Sequence, residues 1–424
     1  MLTREENELL TRVGPGTPMG GMLRRYWIPA CLSEELPESD CDPIRVRLLG
    51  EDLVAFRDSS GRPGVLEEYC PHRGASLHLG RNEEGGLRCI YHGWKMDVDG
   101  NVLDMPCEPE GSTFKERVKA VAYPVREQGR TIWVYMGPRE HMPPFPNFEW
   151  TLVPDGNRSI AKVMEEANWL QAVEGTVDSS HADVLHNGAD TLLNRDPNRP
   201  ADTKPEIGFR DTAYGFWTCS WRRHQDDPEH FNRVHTTNMI LPFFCLVPPR
   251  GHYHIHSYVP MDDTHTWDYS IYYSPTLTIN HEKTMARRTV MPGVDLYPDR
   301  RKIRNLSNDY GQDRQAMRER RSFSGIGDNP HEDHGIQESM GPILDRSREH
   351  LGAVDVGIIH LRQVLLEAVR GFQRGEPPLG IAPSIAYDQI RSLRRILPRE
   401  VPWTEAYDYP AEDIFPEYAK ELIE

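Results

Sequence analysis

Residues 70–94, CPHRGASLHLGRNEEGGLRCIYHGW, constrain what this chain can fold into more than any other stretch. Cys70-Pro71-His72 is followed, after sixteen residues, by Cys89-x-x-His92. Two thiols and two imidazoles in a polar, glycine-rich segment point to a metal centre on two tight loops. Pro71 and Gly74 tighten the first loop and Gly93 the second. One zinc ion or a pair of irons would satisfy four such donors. Zinc sites of mixed type usually group Cys-x-x-Cys with His-x-x-x-His. Here each loop brings one Cys and one His, which favours two sulfide-bridged irons, one on the thiolates and one on the imidazoles. Neutral His in place of thiolate leaves such a cluster less negative. Its potential then rises to roughly −150 to +300 mV, against about −400 mV for an all-Cys plant-type cluster.

The other five cysteines, Cys31, Cys41, Cys107, Cys219 and Cys245, are scattered. Seven in 424 residues make no disulfide framework and fit a reducing cytoplasm. No apolar run approaches the ~18 residues of a membrane span. The opening MLTREENELLTRV is charged and has no apolar export core, so a cytoplasmic protein without membrane attachment is expected. The formal net charge of −16 and the lack of a Lys/Arg block exclude a nucleic-acid backbone as partner. An anionic substrate would then need a local arginine pocket.

The pattern divides into two domains, 1–150 and 151–424. Residues 3–13 read as a short helix ahead of β-rich sequence. PIRVRLLGEDLVAFRDSSGRPGVLEEYC alternates apolar and polar residues, with turns at Gly50-Glu51 and from Ser59 to Gly64. That is a meander of antiparallel strands. It runs on through RTIWVYMG (130–137), and the Pro-rich 138–150 closes the unit. Beyond it, 161–187 reads as a helix and 188–205 as a polar loop long enough to cover a site. Residues 206–276 read as alternating strands, with a hairpin turn at Met261 to Thr264, and the rest as helical. In 355–373, Ile358, Leu361, Leu365, Val369 and Phe372 form one stripe. The expected fold class is α+β, an all-β domain followed by an α+β domain.

A centre that only shuttles electrons needs somewhere to send them. EGTVDSSHADVLH places Glu174, Asp178 and His181 at i, i+4 and i+7, on one helical face. His186 comes about 140° further around an ideal helix than His181. Both can face one metal only where the helix distorts or ends, and Asn187-Gly188 offers an end. Two His and one carboxylate form the facial triad of non-haem Fe(II) oxygenases, which leaves positions open for dioxygen and substrate. For the carboxylate, the C-terminal part offers Asp328, Glu332, Asp333, Glu338 and Asp345.

Cys70-Pro71-His72-Arg73-Gly74-Ala75 and Cys89-Ile90-Tyr91-His92-Gly93-Trp94 resemble the motif of the aromatic-ring-hydroxylating Rieske non-haem iron oxygenases. YWIPACLSEEL and LLGEDLVAFRDSSGR resemble that family's entry into the domain. Its pattern of an acidic residue-x3-Asp-x2-His-x4-His matches at Glu174, Asp178, His181 and His186. HEDHGIQESMGPILDRSREHLGAVD resembles its late segment, in which the Asp of a Glu-Asp pair ligates iron, and this selects Asp333. The resemblance implies a Rieske [2Fe-2S] cluster on Cys70, His72, Cys89 and His92. It implies a mononuclear Fe(II) on His181, His186 and Asp333, with Glu174 supporting that site. It implies a catalytic domain of helix-grip type, an antiparallel sheet flanked by helices. Asp178 would bridge the iron-binding His to a Rieske His of the next subunit in a homotrimer, with stacking into a hexamer left open. Electrons would come from a separate NADH-dependent flavin/iron–sulfur reductase. Dioxygen activated at the iron would convert the ring to a cis-dihydrodiol. No Gly-x-Gly-x-x-Gly stands in a strand–turn–helix context, so nicotinamide and flavin are expected on the partner.

The length and the opening NELLTRVGPGTPMGGMLRRYWIPACL resemble the phthalate 4,5-dioxygenase and phenoxybenzoate dioxygenase branch, which implies an aromatic carboxylate as substrate. A carboxylate in an apolar pocket calls for arginine. Arg222, Arg223, Arg233 and Arg250 are the candidates, with apolar walls expected from Ile240, Leu241, Phe243, Phe244 and Leu246. His252, His254 and His256 alternate along one strand face. They read as the polar side of a half-exposed strand, with one able to donate a hydrogen bond to substrate. The runner-up is a monooxygenase or O-demethylase on the same iron site. A non-catalytic electron carrier would lack the second His pair and Asp333.

Overall fold

The computed structural model describes residues 1–194, 204–410 and 412–413. Contacts gather them into one unit of Val13–Pro146 and a second of Met1–Arg12 with the chain from Asn147 onward. The helices are α1 (Arg4–Thr11), α2 (Pro18–Leu23), α3 (Glu149–Leu152), α4 (Trp169–Val177), α5 (His281–Arg287), α6 (Arg314–Arg318), α7 (Asn329–Ser339) and α8 (Val356–Gln373). The opening helix α1, read from sequence with the first 150 residues, packs in the second unit. Leu10 and Thr11 are buried there, and Asn7 Nδ2 donates to Leu344 O at 2.9 Å. Thr3 and Glu6 cap α1 reciprocally.

Beside α2, the first unit is built of antiparallel strands: β1 (Trp27–Leu32), β2 (Ile44–Leu48), β3 (Glu51–Arg57), β4 (Pro63–Glu67), β5 (Arg81–Glu83), β6 (Gly86–Arg88), β7 (Lys95–Met96), β8 (Val102–Asp104), β9 (Val125–Gln128) and β10 (Thr131–Tyr135). They form the sheets β1-β10-β9, β2-β3-β4 and β5-β6-β7-β8. The β2–β3 turn takes positive φ at Leu49 (49°) and Gly50 (78°), the geometry whose twist suits a tight hairpin. Val54, Phe56 and Leu66 of the meander pack with Leu77, Leu87, Trp94 and Met96 in one core. Cys70 and Cys89 belong to that same core.

The second unit is built on an antiparallel sheet of β11 (Arg158–Glu165), β12 (Glu206–Thr212), β13 (Gly215–Arg223), β14 (Phe231–Ile240), β15 (Phe244–Val247), β16 (Tyr253–Pro260), β17 (Thr266–Tyr273) and β18 (Arg394–Pro398). The order is β11-β17-β16-β15-β14-β13-β12, and β18 pairs with β14. Helix α8 packs on β12 and α4, and α4 packs on β15, β16 and α7. This is the expected α+β class. Asp262 Oδ1 accepts from the amides of Thr264 (2.9 Å) and His265 (3.0 Å), closing the β16–β17 hairpin where turn residues announce it. Leu361, Leu365 and Val369 of the α8 stripe are fully buried, each worth about 1.5–3 kcal/mol of transfer from water.

Two segments depart from the sequence reading. Residues 161–165, read as the start of a helix, belong to strand β11 (Arg158–Glu165). Seven of its eight positions are buried, polar Arg158, Ser159, Lys162 and Glu165 among them, so the period-two signal is lost. Residues 394–398, expected as helix, add strand β18 along β14. Of the expected polar loop 188–205, Ala189–Leu193 form a π-type helical turn and residues 195–203 lie outside the described residues. Among the described residues no helix is long and apolar enough to cross a membrane.

Candidate active site

The two cysteine loops share one hydrogen-bond pattern. Cys70 N–H donates to Ala75 O (2.9 Å) and Gly74 N–H to Cys70 O (2.9 Å). Cys89 N–H donates to Trp94 O (2.8 Å) and Gly93 N–H to Cys89 O (2.9 Å). Gly74 (φ 72°) and Gly93 (φ 78°) supply the left-handed backbone that each loop requires. The thiols are buried, whereas His72 is exposed and His92 half-buried. The two imidazoles stand together, ring centres 4.5 Å apart, and His72 stacks on Trp94 at 4.5 Å. Burial pushes the Cys70 thiol up to about 11, so only a bound cation would make it a thiolate at neutral pH. Two inner sulfurs and two outer imidazoles fit an iron pair with one metal on each kind of donor.

Asn168 opens α4, its Oδ1 accepting from Leu170 N–H at 3.1 Å. Asp178 stops it: its Oδ1 accepts from Ser180 N–H (2.8 Å) and Oγ–H (2.5 Å), a local turn that competes with further helix. Ala182–His186 then run as a wide π-type turn, a form frequent at functional sites. That change of pitch brings the rings of His181 and His186 to 5.1 Å and nearly perpendicular. Helix α7 supplies the third group. Asp328 caps it by accepting from His331 N–H at 3.2 Å. Asp333 Oδ1 then lies 3.1 Å from His186 Nε2 and 3.5 Å from His181 Nε2. One donor atom from each of the three lies within 4.8 Å of the others. Metal bonds of about 2.1 Å at right angles space donors about 3 Å apart. The triangle therefore fits a metal gripped on one face and open on the other.

The surroundings of the two imidazoles differ. His186 Nδ1 is 2.7 Å from Glu332 Oε2, whereas His181 Nδ1 is 3.6 Å from Asp178 Oδ2, beyond hydrogen-bond range. Burial opposes charge on His186, but Asp333 and Glu332 outweigh it and push the imidazole up to about 9. Burial likewise opposes charge on Asp333, and the two imidazoles hold its carboxyl below the usual range. Helix α7 is anchored from behind. Glu338 accepts from Lys302 Nζ (2.6 Å), Tyr310 O–H (2.8 Å) and Glu166 N–H (2.9 Å), with Lys302 and Glu338 both buried.

The triad opens into a cavity of about 270 Å³ beneath the sheet. Arg222 and Arg233 are cross-strand partners in its wall, as are His235 and Arg394. With Arg250, Arg287 and Arg288 they give the cavity six guanidiniums against the carboxylates of Asp178, Asp183 and Asp333. Arg222 is buried and ion-paired with Asp183. In a chain of net charge −16, this local excess of positive charge attracts anions. Burial, reinforced by neighbouring arginines, holds His252 down to about 4 and His235 well below its usual value. Burial, then the neighbouring His256 and Arg288, lowers His254 in the same way. His256 is held through Nδ1, 3.0 Å from Asp268 Oδ1, whose other oxygen is 3.4 Å from His334 Nε2.

Residues 26–122 match the Rieske [2Fe-2S] domain and 134–421 match the LigXa C-terminal domain like family. The chain is also 41% identical over 416 residues to the phthalate 4,5-dioxygenase oxygenase subunit of Pseudomonas putida, spanning 96% of this chain and 94% of that one. It is a Rieske non-haem iron oxygenase. The 3-chlorobenzoate-3,4-dioxygenase oxygenase subunit of Comamonas testosteroni is 36% identical over 434 residues, covering 98% of this chain and 100% of the relative. Dicamba monooxygenase bound to dicamba shares the fold, with TM-score 0.59, 16% identity and coverage of 84% and 99%. The oxygenase is thus the oxygenase component of a multicomponent system, with a Rieske cluster and the mononuclear iron its family uses.

Within the oxygenase, the arginines named from sequence separate. Arg222, Arg233 and Arg250 line the cavity, and Arg223 does not. Adjacent residues on β13 point to opposite faces, and Arg223 is exposed on the other one. Phe243 and Phe244 are buried away from the cavity, Phe244 against Phe148 at 4.7 Å. Ile240, Leu241 and Leu246 are likewise buried outside its lining, which takes Val247 from the alternate face of β15. His252, His254 and His256 are not on a half-exposed face but in the cavity wall. Glu174 is also elsewhere. Its carboxylate is buried between Arg346 (2.8 Å) and Arg362 (2.6 Å), and Arg362 continues to Glu349 at 2.6 Å. That network ties α4 to α8 and, through Arg346 Nη1 and Asn7 Oδ1 at 3.1 Å, to α1. Sequence reasoning missed Arg287, Arg288, Arg394 and Asp183 as cavity residues. The His235–Arg394 register across β14 and β18 has no local sequence signal.

Proposed function

We propose that this oxygenase cis-dihydroxylates the ring of an aromatic carboxylate, phthalate-like, with dioxygen as oxidant. The observation that carries the reading is the set of six arginines in the same cavity as His181, His186 and Asp333. Iron held by those three residues supplies dioxygen activation. The side chains do the rest. Guanidiniums hold the substrate carboxylate and so turn a ring edge toward the triad. His235, His252 and His254, kept neutral, offer hydrogen-bonding groups without competing for the anion. Arg222, tied to Asp183, gives the wall a fixed cation beside Ser220.

In this reading the cluster is held by Cys70, His72, Cys89 and His92. The active form is a homotrimer in which Asp178 links His181 to a Rieske His of the neighbouring chain. Electrons arrive from a separate NADH-dependent flavin/iron–sulfur reductase in the cytoplasm. The naming of the P. putida and C. testosteroni relatives as oxygenase subunits supports the separate reductase. Turnover of phthalate under labelled dioxygen is the test. One dihydrodiol carrying both labelled atoms is the expected product. A product with a single labelled atom would assign monooxygenation instead, and failure of any benzoate or phthalate to bind would remove the substrate reading.

A further inference from the structure

We propose that Glu332 is a positioning residue that fixes the ring orientation and tautomer of His186. The inference rests on the reading of His181, His186 and Asp333 as the iron site. Glu332 and Asp333 are neighbours near the start of α7, and they face opposite nitrogens of one imidazole. Asp333 Oδ1 faces Nε2 at 3.1 Å and Glu332 Oε2 faces Nδ1 at 2.7 Å. An ionised carboxylate only accepts, so Glu332 holds a proton on Nδ1, and a metal taking the place of the proton between Nε2 and Asp333 would meet the Nε2 lone pair. An anionic acceptor also makes the ring a stronger donor to a cation.

Glu332 is itself fixed. It is buried, and its other oxygen accepts from Ser324 Oγ–H at 2.5 Å, while Ser324 Oγ accepts from Ile326 N–H at 3.1 Å. The segment carrying Ser324 is seated on the histidine turn, because a Cβ at Gly188 would come within 2.6 Å of the Phe323 ring. Ser324, Glu332 and His186 thus form one bracket between two parts of the chain. His181 has no such bracket: its Nδ1 is 3.6 Å from Asp178, whose Oδ1 is taken by Ser180. The two histidines are therefore unequal: His186 Nδ1 is held by Glu332 at 2.7 Å, whereas His181 Nδ1 lies 3.6 Å from Asp178.

The test measures Fe(II) affinity of the whole protein, cluster loaded, by equilibrium dialysis, together with the paramagnetic resonance signal of its nitric oxide adduct. Glu332→Gln, of nearly equal shape, should weaken Fe(II) binding about 10- to 100-fold and change the rhombicity of the nitrosyl signal. Ser324→Ala, which leaves the His186 contact in place, should weaken it about 2- to 10-fold, and Glu332→Asp should fall between. Calorimetric melting of the second unit, which carries these residues, reports that each variant has folded. Wild-type affinity and an unchanged nitrosyl signal in Glu332→Gln would overturn the proposal. If Glu332→Gln does not fold, wild-type affinity in Ser324→Ala overturns it instead. His186→Ala separates the two levels. If it binds Fe(II) as the wild type does, the iron-site reading fails. If it loses Fe(II) while Glu332→Gln does not, only the role of Glu332 fails.

Discussion

The Cys70–His72 and Cys89–His92 loops, proposed to hold the cluster, and the triad proposed for the mononuclear iron are built in opposite ways. The cluster loops repeat one hydrogen-bond pattern within residues 70–94, on hairpins that share a single core. The triad takes two imidazoles from a turn after α4 and its carboxylate from α7, far along the chain. The first is a local device. The second is an assembly, held in register by buried charge behind it: Glu174 between Arg346 and Arg362, and Lys302 on Glu338. Substitutions remote from the metal should therefore loosen the second centre and leave the first intact.

Glu174→Gln is the strongest test of that contrast. It leaves two buried guanidiniums without their shared anion, and losing one partner of a buried pair costs about 3–5 kcal/mol. Calorimetry should show the melting of the second unit shifted down with the cluster spectrum unchanged, and equal loss of both would break the comparison. Asp178→Asn should act on turnover rather than on assembly. It keeps the Ser180 turn and both metals, and product formation should fall at least about 10-fold. Full activity would remove Asp178 as the link between centres.

Acid should have a smaller effect, confined to the second unit. His252, held down to about 4 from an ordinary 6.5, binds its proton less readily folded than unfolded. Between those values the unfolded chain carries more protons, so stability rises with pH and is lost as pH falls from about 6.5 to about 4. The slope is at most about 1.4 kcal/mol per pH unit for each such histidine, and His235 and His254 add in the same sense. In the metal-loaded protein, where metal takes the place of protons on His92, His181 and His186, the second unit should melt lower at pH 5.5 than at pH 7.5 and the first should not change. An unchanged second transition would contradict the neutral histidine wall.

The same contrast sets what the sequence could disclose. Cys70, His72, Cys89 and His92 stand out because their spacing is their geometry. The β2–β3–β4 meander and the β16–β17 hairpin announce themselves through period-two alternation and turn residues. Strand β11, buried on both faces, does not, and β18 joins the sheet only through pairing with β14. Spacing placed His181 and His186 near one another and showed that the helix between them had to change form. It gave no sign that Glu174 turns to Arg346 and Arg362, because every partner in that network comes from another element. The arginine cavity stayed hidden for the same reason. Only the register of β13, β14 and β18 sets Arg222, Arg233 and Arg394 on one wall.

The most direct measurement is metal content of the fully loaded protein beside its His186→Ala variant. Two irons with two acid-labile sulfides on the first unit and one on the triad predict three irons per chain in the wild type and two in the variant, with the same cluster spectrum. Two irons in both proteins, or zinc in place of the sulfide-bound pair, would contradict the account.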